Sequence, residues 1–227
     1  MEVYLVRHGE SAANKLLHER KGNIKKEINK LGNPPLTPHG VLQAQVTAQT
    51  LISRLRTHKE IKLIVSPMCR AVQTMEPFIQ ECQKAKLDYT LEYWSELQEY
   101  TSTAREVKGC RLENGKLLKV DTWEQFTERM QRLYEKLTEK CLVPRIIVGH
   151  SLMFSTLLSY LGSRQTYIIP DRTIVFHLPN CSITTLLGKT KMQKGGLLRQ
   201  HWEVCQMADI SHLIPNLHTG TRVPLLF

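Results

Sequence analysis

Glu2-Val3-Tyr4-Leu5-Val6 runs straight into Arg7-His8-Gly9, and Arg145-Ile146-Ile147-Val148-Gly149 runs straight into His150-Ser151. Both are short apolar runs of the kind that forms buried strands, and each delivers a histidine at its carboxyl end. In open α/β sheets ligands bind just beyond the carboxyl ends of parallel strands. Two such histidines, far apart in the chain, can therefore face each other across one crevice. A third run, Ile61-Lys62-Leu63-Ile64-Val65, leads into Ser66-Pro67 and places Arg70 one turn into the following helix. Two histidines and two arginines, Arg7 and Arg70, are expected to converge on one small site.

The chemistry available to that group is narrow. An imidazole has a reference pKa of about 6.5, so much of it is unprotonated and nucleophilic near neutral pH. Guanidinium groups keep their charge and grip phosphate oxygens through a planar fork of donors. Helix N-termini starting just after the strands add N–H donors and a favourable dipole. The implied ligand is an anion, most simply a phosphoryl group. A nucleophile, an electrostatic clamp and a partner histidine suit covalent phosphoryl transfer through a phosphohistidine, a scheme that requires no metal or organic cofactor.

Val3-Tyr4-Leu5-Val6-Arg7-His8-Gly9-Glu10-Ser11, followed by Asn14, resembles the opening motif of the histidine phosphatase superfamily, the phosphoglycerate mutase-like group. Three further blocks agree in order and kind: Leu36-Thr37-Pro38-His39-Gly40 with Gln43-Ala44; Ser66-Pro67-Met68-Cys69-Arg70-Ala71-Val72-Gln73-Thr74; and Val148-Gly149-His150-Ser151. Asn180-Cys181-Ser182-Ile183 resembles the start of the strand that usually follows. The resemblance implies that His8 is the phosphorylated nucleophile, that Arg7, Arg70 and His150 form the phosphate pocket, His150 also acting as the catalytic partner, and that Asn14 adds a phosphate contact. It also implies an acidic proton donor in a Leu-x-Glu context. Leu97-Gln98-Glu99 fits, with Glu96 as the nearby competitor, and Glu99 is the favoured choice. Such a donor must hold its proton near pH 7, so burial or a neighbouring negative phosphate must raise its pKa.

Bulk properties are compatible with this reading. The 227 residues contain no Gly/Ser linker, low-complexity run or fixed-period repeat, so one catalytic domain over residues 1–227 is expected. The opening residues lack a secretory leader, and no run of about 18 apolar residues occurs, which predicts a soluble cytoplasmic protein without membrane association. Cys69, Cys82, Cys110, Cys141, Cys181 and Cys205 show no CxxC spacing and read as free thiols. The nine histidines show no ligand spacing for zinc. His18, His39, His58, His177, His201, His212 and His218 are read as structural, and Trp94, Trp123 and Trp202 as core or pocket wall.

A net charge of +10 and a pI near 9.4 raise the question of nucleic acid. The excess gathers at Lys15, Arg20, Lys21, Lys25, Lys26 and Lys30, and again at Lys189, Lys191, Lys194 and Arg199. Neither cluster interleaves aromatics as single-strand platforms do, so no specific nucleic-acid partner is expected. An anionic substrate, either a phosphorylated small molecule or a phosphoprotein, is the simpler partner, with a solvated basic surface as the plain alternative.

Periodicity predicts helices over about Pro38–Arg56, from Ser66-Pro67 through Ile79, over about Thr122–Lys140, and from His150 to Gly162. Thr173–Leu178, Cys181–Leu187 and Leu197–Cys205 read as strands, the last two joined by a basic hairpin or loop. Asn14–Pro35 and Ser95–Val120 read as functional loops, and Asp209–Phe227 as an irregular tail or lid. The expected fold is a three-layer α/β/α sandwich on a mainly parallel sheet, phosphoglycerate mutase-like, and the resemblance implies one antiparallel strand. Two activities share the intermediate: hydrolysis of a phosphomonoester and mutase-type transfer. The basic interval His18–Pro35 lacks the GWxD-type segment of cofactor-dependent mutases, which favours hydrolysis. A phospho-ligand binding protein without catalysis is the third possibility; pure binding needs neither nucleophile nor acid, so the combination of His8 and Glu99 argues against it.

Overall fold

The computed structural model describes residues 1–19, 27, 31–100, 122–139, 141–162, 174–175, 178–192, 198–219 and 225–226. Four strands, β1 (Glu2–Arg7), β2 (Glu60–Val65), β3 (Asp88–Tyr93) and β4 (Arg145–Gly149), lie parallel to one another. After β5 (Ile174–Val175), β6 (Ile183–Met192) and β7 (Leu198–Asp209) complete a six-stranded sheet of order β3-β2-β4-β1-β6-β7. β6 is antiparallel to β1, and β7 is antiparallel to β6. β6 alone therefore runs against the rest, as the resemblance implied. β8 (Leu225–Leu226) pairs with β5 in a separate two-stranded sheet.

The helices are α1 (Ala12–Glu19), α2 (Pro38–Leu55), α3 (Cys69–Ala85), α4 (Trp123–Thr138) and α5 (Ser151–Gly162). Strand side chains alternate between two faces, and each face meets its own helix pair. Val3, Leu5, Ile64 and Ile147 pack with Phe126, Met130 and Leu133 of α4 and with Phe154 and Leu157 of α5. Tyr4, Val6, Leu63, Val65, Ile146 and Val148 pack with Leu51, Ile52 and Leu55 of α2 and with Met75 and Phe78 of α3. Two apolar faces covered on both sides produce the three-layer sandwich expected from the sequence.

Caps set the helix starts. Thr37 Oγ1 accepts from Gly40 N at 3.0 Å, with Pro38 in the first turn of α2. At α4, Thr122 and Gln125 cap each other reciprocally. The helix expected from Ser66-Pro67 starts later: α3 begins at Cys69 behind Met68, and Met68 makes no side-chain cap. The Ser66 hydroxyl is engaged elsewhere, 2.8 Å from His150 Nε2.

Other boundaries differ for identifiable reasons. Ala12–Glu19 is helical although Asn14–Pro35 reads as a loop, because Ser11 and Asn14 exchange hydrogen bonds that start the turn. β3 has no distinct sequence signal, since its side chains are exposed or half-buried on both faces of an edge strand. β6 and β7 start later and run on to Met192 and Asp209, because backbone pairing propagates past the core into a ribbon where Lys189 and Glu203 form an ion pair. The described part of the tail is largely irregular, as expected, yet it is packed: Leu213 and Leu217 are buried with Leu36, Ala44 and Cys181, and Pro215–Leu217 is a 3₁₀ turn. Trp94 and Trp202 are core residues, whereas Trp123 is 37% exposed. Most of the Lys15–Lys30 cluster, residues 101–121, Cys110 and the 193–197 connection lie outside the described residues. Within them Cys69, Cys82, Cys141, Cys181 and Cys205 are free thiols.

Candidate active site

Register brings the two histidines together. β1 and β4 pair Val6 with Val148 and Arg7 with Gly149, so the chain passes into His8 and His150 at the same edge. His8 N donates to Gly149 O at 3.0 Å, and Ser66 N donates to Val148 O at 3.0 Å. The imidazole centroids are 5.1 Å apart, and both rings are buried.

Hydrogen bonding assigns the His8 tautomer. Nδ1 lies 2.7 Å from Gly9 O, which only accepts, so Nδ1 carries the proton and Nε2 presents its lone pair. Arg70 Nε, in the first turn of α3, donates to that lone pair at 3.1 Å. At His150, Ser66 Oγ accepts from Met68 N at 3.4 Å and can give its own hydrogen to Nε2. That assignment leaves the proton on Nδ1, which is buried without a hydrogen-bond partner among the described residues. Arg7 donates from Nη1 to Leu178 O. Burial lowers its pKa to about 10 despite the opposing field of Glu99.

Glu99 follows a 3₁₀ turn at Ser95–Leu97. Burial raises its pKa above the ordinary carboxylate range, against the fields of Arg70 and Arg7 and the N–H groups of Tyr100 and Leu152. Arg129 of α4 pins this segment, donating to Glu96 O at 2.8 Å and Gln98 O at 2.6 Å. The competing carboxylate, Glu96, reaches outward to Lys136 at 3.6 Å. Asn14 Oδ1 accepts from Ser11 N and from Asn180 Nδ2, each at 3.1 Å.

Several supporting residues carry no signal of their own in sequence. Thr74 Oγ1 accepts from Gly9 N at 3.0 Å and donates to Arg70 O at 2.7 Å, coupling the nucleophile loop to the arginine. The start of α2 packs so closely that a Cβ on Gly40 would lie 2.1 Å from Glu10 O, and one on Gly9 would lie 2.4 Å from Gly40 O. Backbone against backbone leaves nothing flexible to yield, so both positions require glycine. Ser66, Thr74, Gln43 and Asn180 all fall inside the family-like blocks, but their partners are distant in the chain and only the fold identifies their work.

Burial first, then the Arg70 charge, hold the pKa values of His8 and His150 well below 6.5. Below about pH 6.5 the unfolded chain takes up protons on these histidines that the folded site refuses, so stability falls as pH drops through this range. Glu99 acts oppositely, since its raised pKa makes stability fall as pH rises above the ordinary carboxylate value. The urea midpoint of the native protein is expected to drop between pH 7 and pH 5 by more than that of His150→Gln. An equal drop would remove His150 as a source of acid sensitivity.

Among the described residues no three His, Cys, Asp or Glu side chains converge as a metal-ligand set, and no helix is long and apolar enough to cross a membrane. Residues 3–198 match the model of the histidine phosphatase superfamily, branch 1. The chain is 25% identical to the protein named probable phosphoglycerate mutase GpmB of Proteus mirabilis, over 94% of this chain and 95% of the relative. Its fold is similar to that of ecdysone phosphate phosphatase from Bombix mori in complex with tungstate, with a TM-score of 0.58 and 17% identity over 91% of this chain and 92% of that one. It is likewise similar to a phosphoserine phosphatase from Entamoeba histolytica in complex with phosphoserine, with a TM-score of 0.53 and 18% identity over 94% of this chain and 99% of that one.

Proposed function

Because this chain belongs to the histidine phosphatase superfamily, branch 1, we propose that it is a metal-independent phosphomonoesterase working through a phosphohistidine on His8. The observation that carries the reading is the His8 tautomer: Nδ1–H is tied to Gly9 O, and the Nε2 lone pair faces the Arg70 guanidinium. Arrival of a phosphomonoester draws that guanidinium onto phosphoryl oxygens and frees Nε2 to attack phosphorus. The P–N bond forms as the ester P–O bond breaks, and the leaving oxygen takes the Glu99 proton. Water then attacks the phosphohistidine, giving its proton to the Glu99 carboxylate and returning the electron pair to Nε2. Arg7, Arg70 and the His150 Nδ1–H neutralise the charge on the transferring group, and Asn14 adds a donor.

Glu99 suits the acid role better than Glu96, because burial beside two arginines tunes one carboxyl while the other is bound to Lys136 at the surface. The substrate is a phosphorylated small molecule or a phosphoprotein, and the similar structures named ecdysone phosphate phosphatase and phosphoserine phosphatase favour the small molecule. A single catalytic domain in the cytoplasm agrees with the free thiols and the continuous sheet. The likeness to proteins named phosphoglycerate mutase keeps phosphoryl transfer as the second reading. A panel of phosphomonoesters, run with and without 2,3-bisphosphoglycerate and 3-phosphoglycerate, separates the two. Hydrolysis is expected to release inorganic phosphate from several monoesters at rates indifferent to the bisphosphate. Interconversion of phosphoglycerates faster than phosphate release would favour the mutase.

A further inference from the structure

Asn180 is fully buried and uses both ends of its amide. Nδ2 donates to the main-chain O of His8 at 3.0 Å and to Asn14 Oδ1 at 3.1 Å, while Oδ1 accepts from Thr219 Oγ1 at 3.3 Å. The Thr219 hydroxyl in turn accepts from Gln43 Nε2 at 2.6 Å, and Gln43 Oε1 accepts from Glu10 N at 2.7 Å. The nucleophile loop, α2 and the 217–219 segment are thus joined through two buried amides.

This network carries directional information. A carboxamide keeps its shape when its oxygen and nitrogen exchange places, so only its neighbours decide which end donates. The His8 carbonyl can only accept, which makes the facing end of Asn180 the nitrogen. That nitrogen, together with Ser11 N at 3.1 Å, makes the facing end of Asn14 the oxygen. The Ser11 hydroxyl is neutral in this choice, since it can donate or accept. Asn14 Nδ2 is consequently turned the other way, and it makes no hydrogen bond among the described residues.

We propose that Asn180 is a positioning residue that keeps Asn14 Nδ2 presented as a donor to the phosphoryl group while it restrains the His8 main chain. One amide then orients the nucleophile and an anion contact together, an assignment that rests on the phosphomonoesterase reading above. Asn14 is the group that touches the anion; Asn180 acts through it.

The test uses the full chain, tungstate as the phosphate mimic and p-nitrophenyl phosphate as substrate. Asn180→Leu keeps approximate volume, adds no charge and removes the donor. Its tungstate dissociation constant is expected to rise about 10-fold, the scale of a lost hydrogen bond to a charged group. In an Asn14→Ala background the same substitution should change tungstate affinity by less than about 2-fold, because interacting positions are not additive. A purely structural role would weaken binding equally in both backgrounds, and that result would overturn the proposal. If circular dichroism shows that Asn180→Leu does not fold, Thr219→Val decides. It removes the hydroxyl that locks Asn180 Oδ1, and is expected to weaken tungstate binding in the native background and not in Asn14→Ala. Unchanged affinity in both backgrounds would equally overturn the proposal. Native protein that neither hydrolyses the aryl ester nor binds tungstate would instead overturn the phosphomonoesterase reading.

Discussion

His8→Ala is expected to reduce turnover of p-nitrophenyl phosphate by about 10⁴-fold or more, the scale seen when a covalent nucleophile is removed. Among the described residues no other nucleophile is poised to replace it: the neighbouring His150 ring has Nε2 bonded to Ser66, and burial raises the Cys181 thiol to about 12. Rapid quench of the native protein with labelled substrate should trap one phosphoryl group on His8, stable in base and lost in acid, as a P–N bond requires. The trap should be absent from His8→Ala. Retention of activity in that variant, or a label that survives acid, would sink the covalent mechanism. Tungstate binding should survive better than turnover, since Arg7, Arg70 and His150 still supply the anion pocket.

Glu99→Gln is expected to slow hydrolysis of an alkyl phosphate by about 10²–10⁴-fold while barely affecting p-nitrophenyl phosphate. An alkoxide leaves poorly unless protonated, whereas nitrophenolate departs without help. The buried carboxyl has its pKa raised by desolvation, which keeps a proton available at higher pH than an exposed glutamate can. The alkaline limb of kcat/KM for the alkyl substrate should therefore disappear in Glu99→Gln. Glu96→Gln serves as the control, since its carboxylate is paired with Lys136. Equal losses on both substrates would assign Glu99 a structural role.

Local pattern carried much of the fold. The continuous apolar runs within Glu2–Arg7 and Glu60–Val65, and the three-four spacing of Phe126, Met130, Leu133 and Leu137, depend on burial alone, and burial is written into each segment by itself. Elements whose signal lies in their partners stayed hidden. β3 is half-exposed on both faces, α1 depends on the Ser11–Asn14 exchange, and the 213–219 segment is ordered by Leu36, Ala44 and Gln43 from elsewhere in the chain.

The same division runs through the site. Strand ends followed by His8 and His150, and a helix start carrying Arg70, are local signals, so sequence by itself determined that these three side chains would meet beyond the carboxyl ends of the parallel strands. The Arg70 donor to His8 Nε2, the difference between the environments of Glu99 and Glu96, and the Asn180–Asn14–His8 link were decided only by tertiary structure. Each of these depends on which donor meets which acceptor, and on how much water is excluded, between residues separated by tens to more than a hundred positions. Strand register and helix packing set those meetings, because a shift of one residue along a strand reverses the face to which every side chain points.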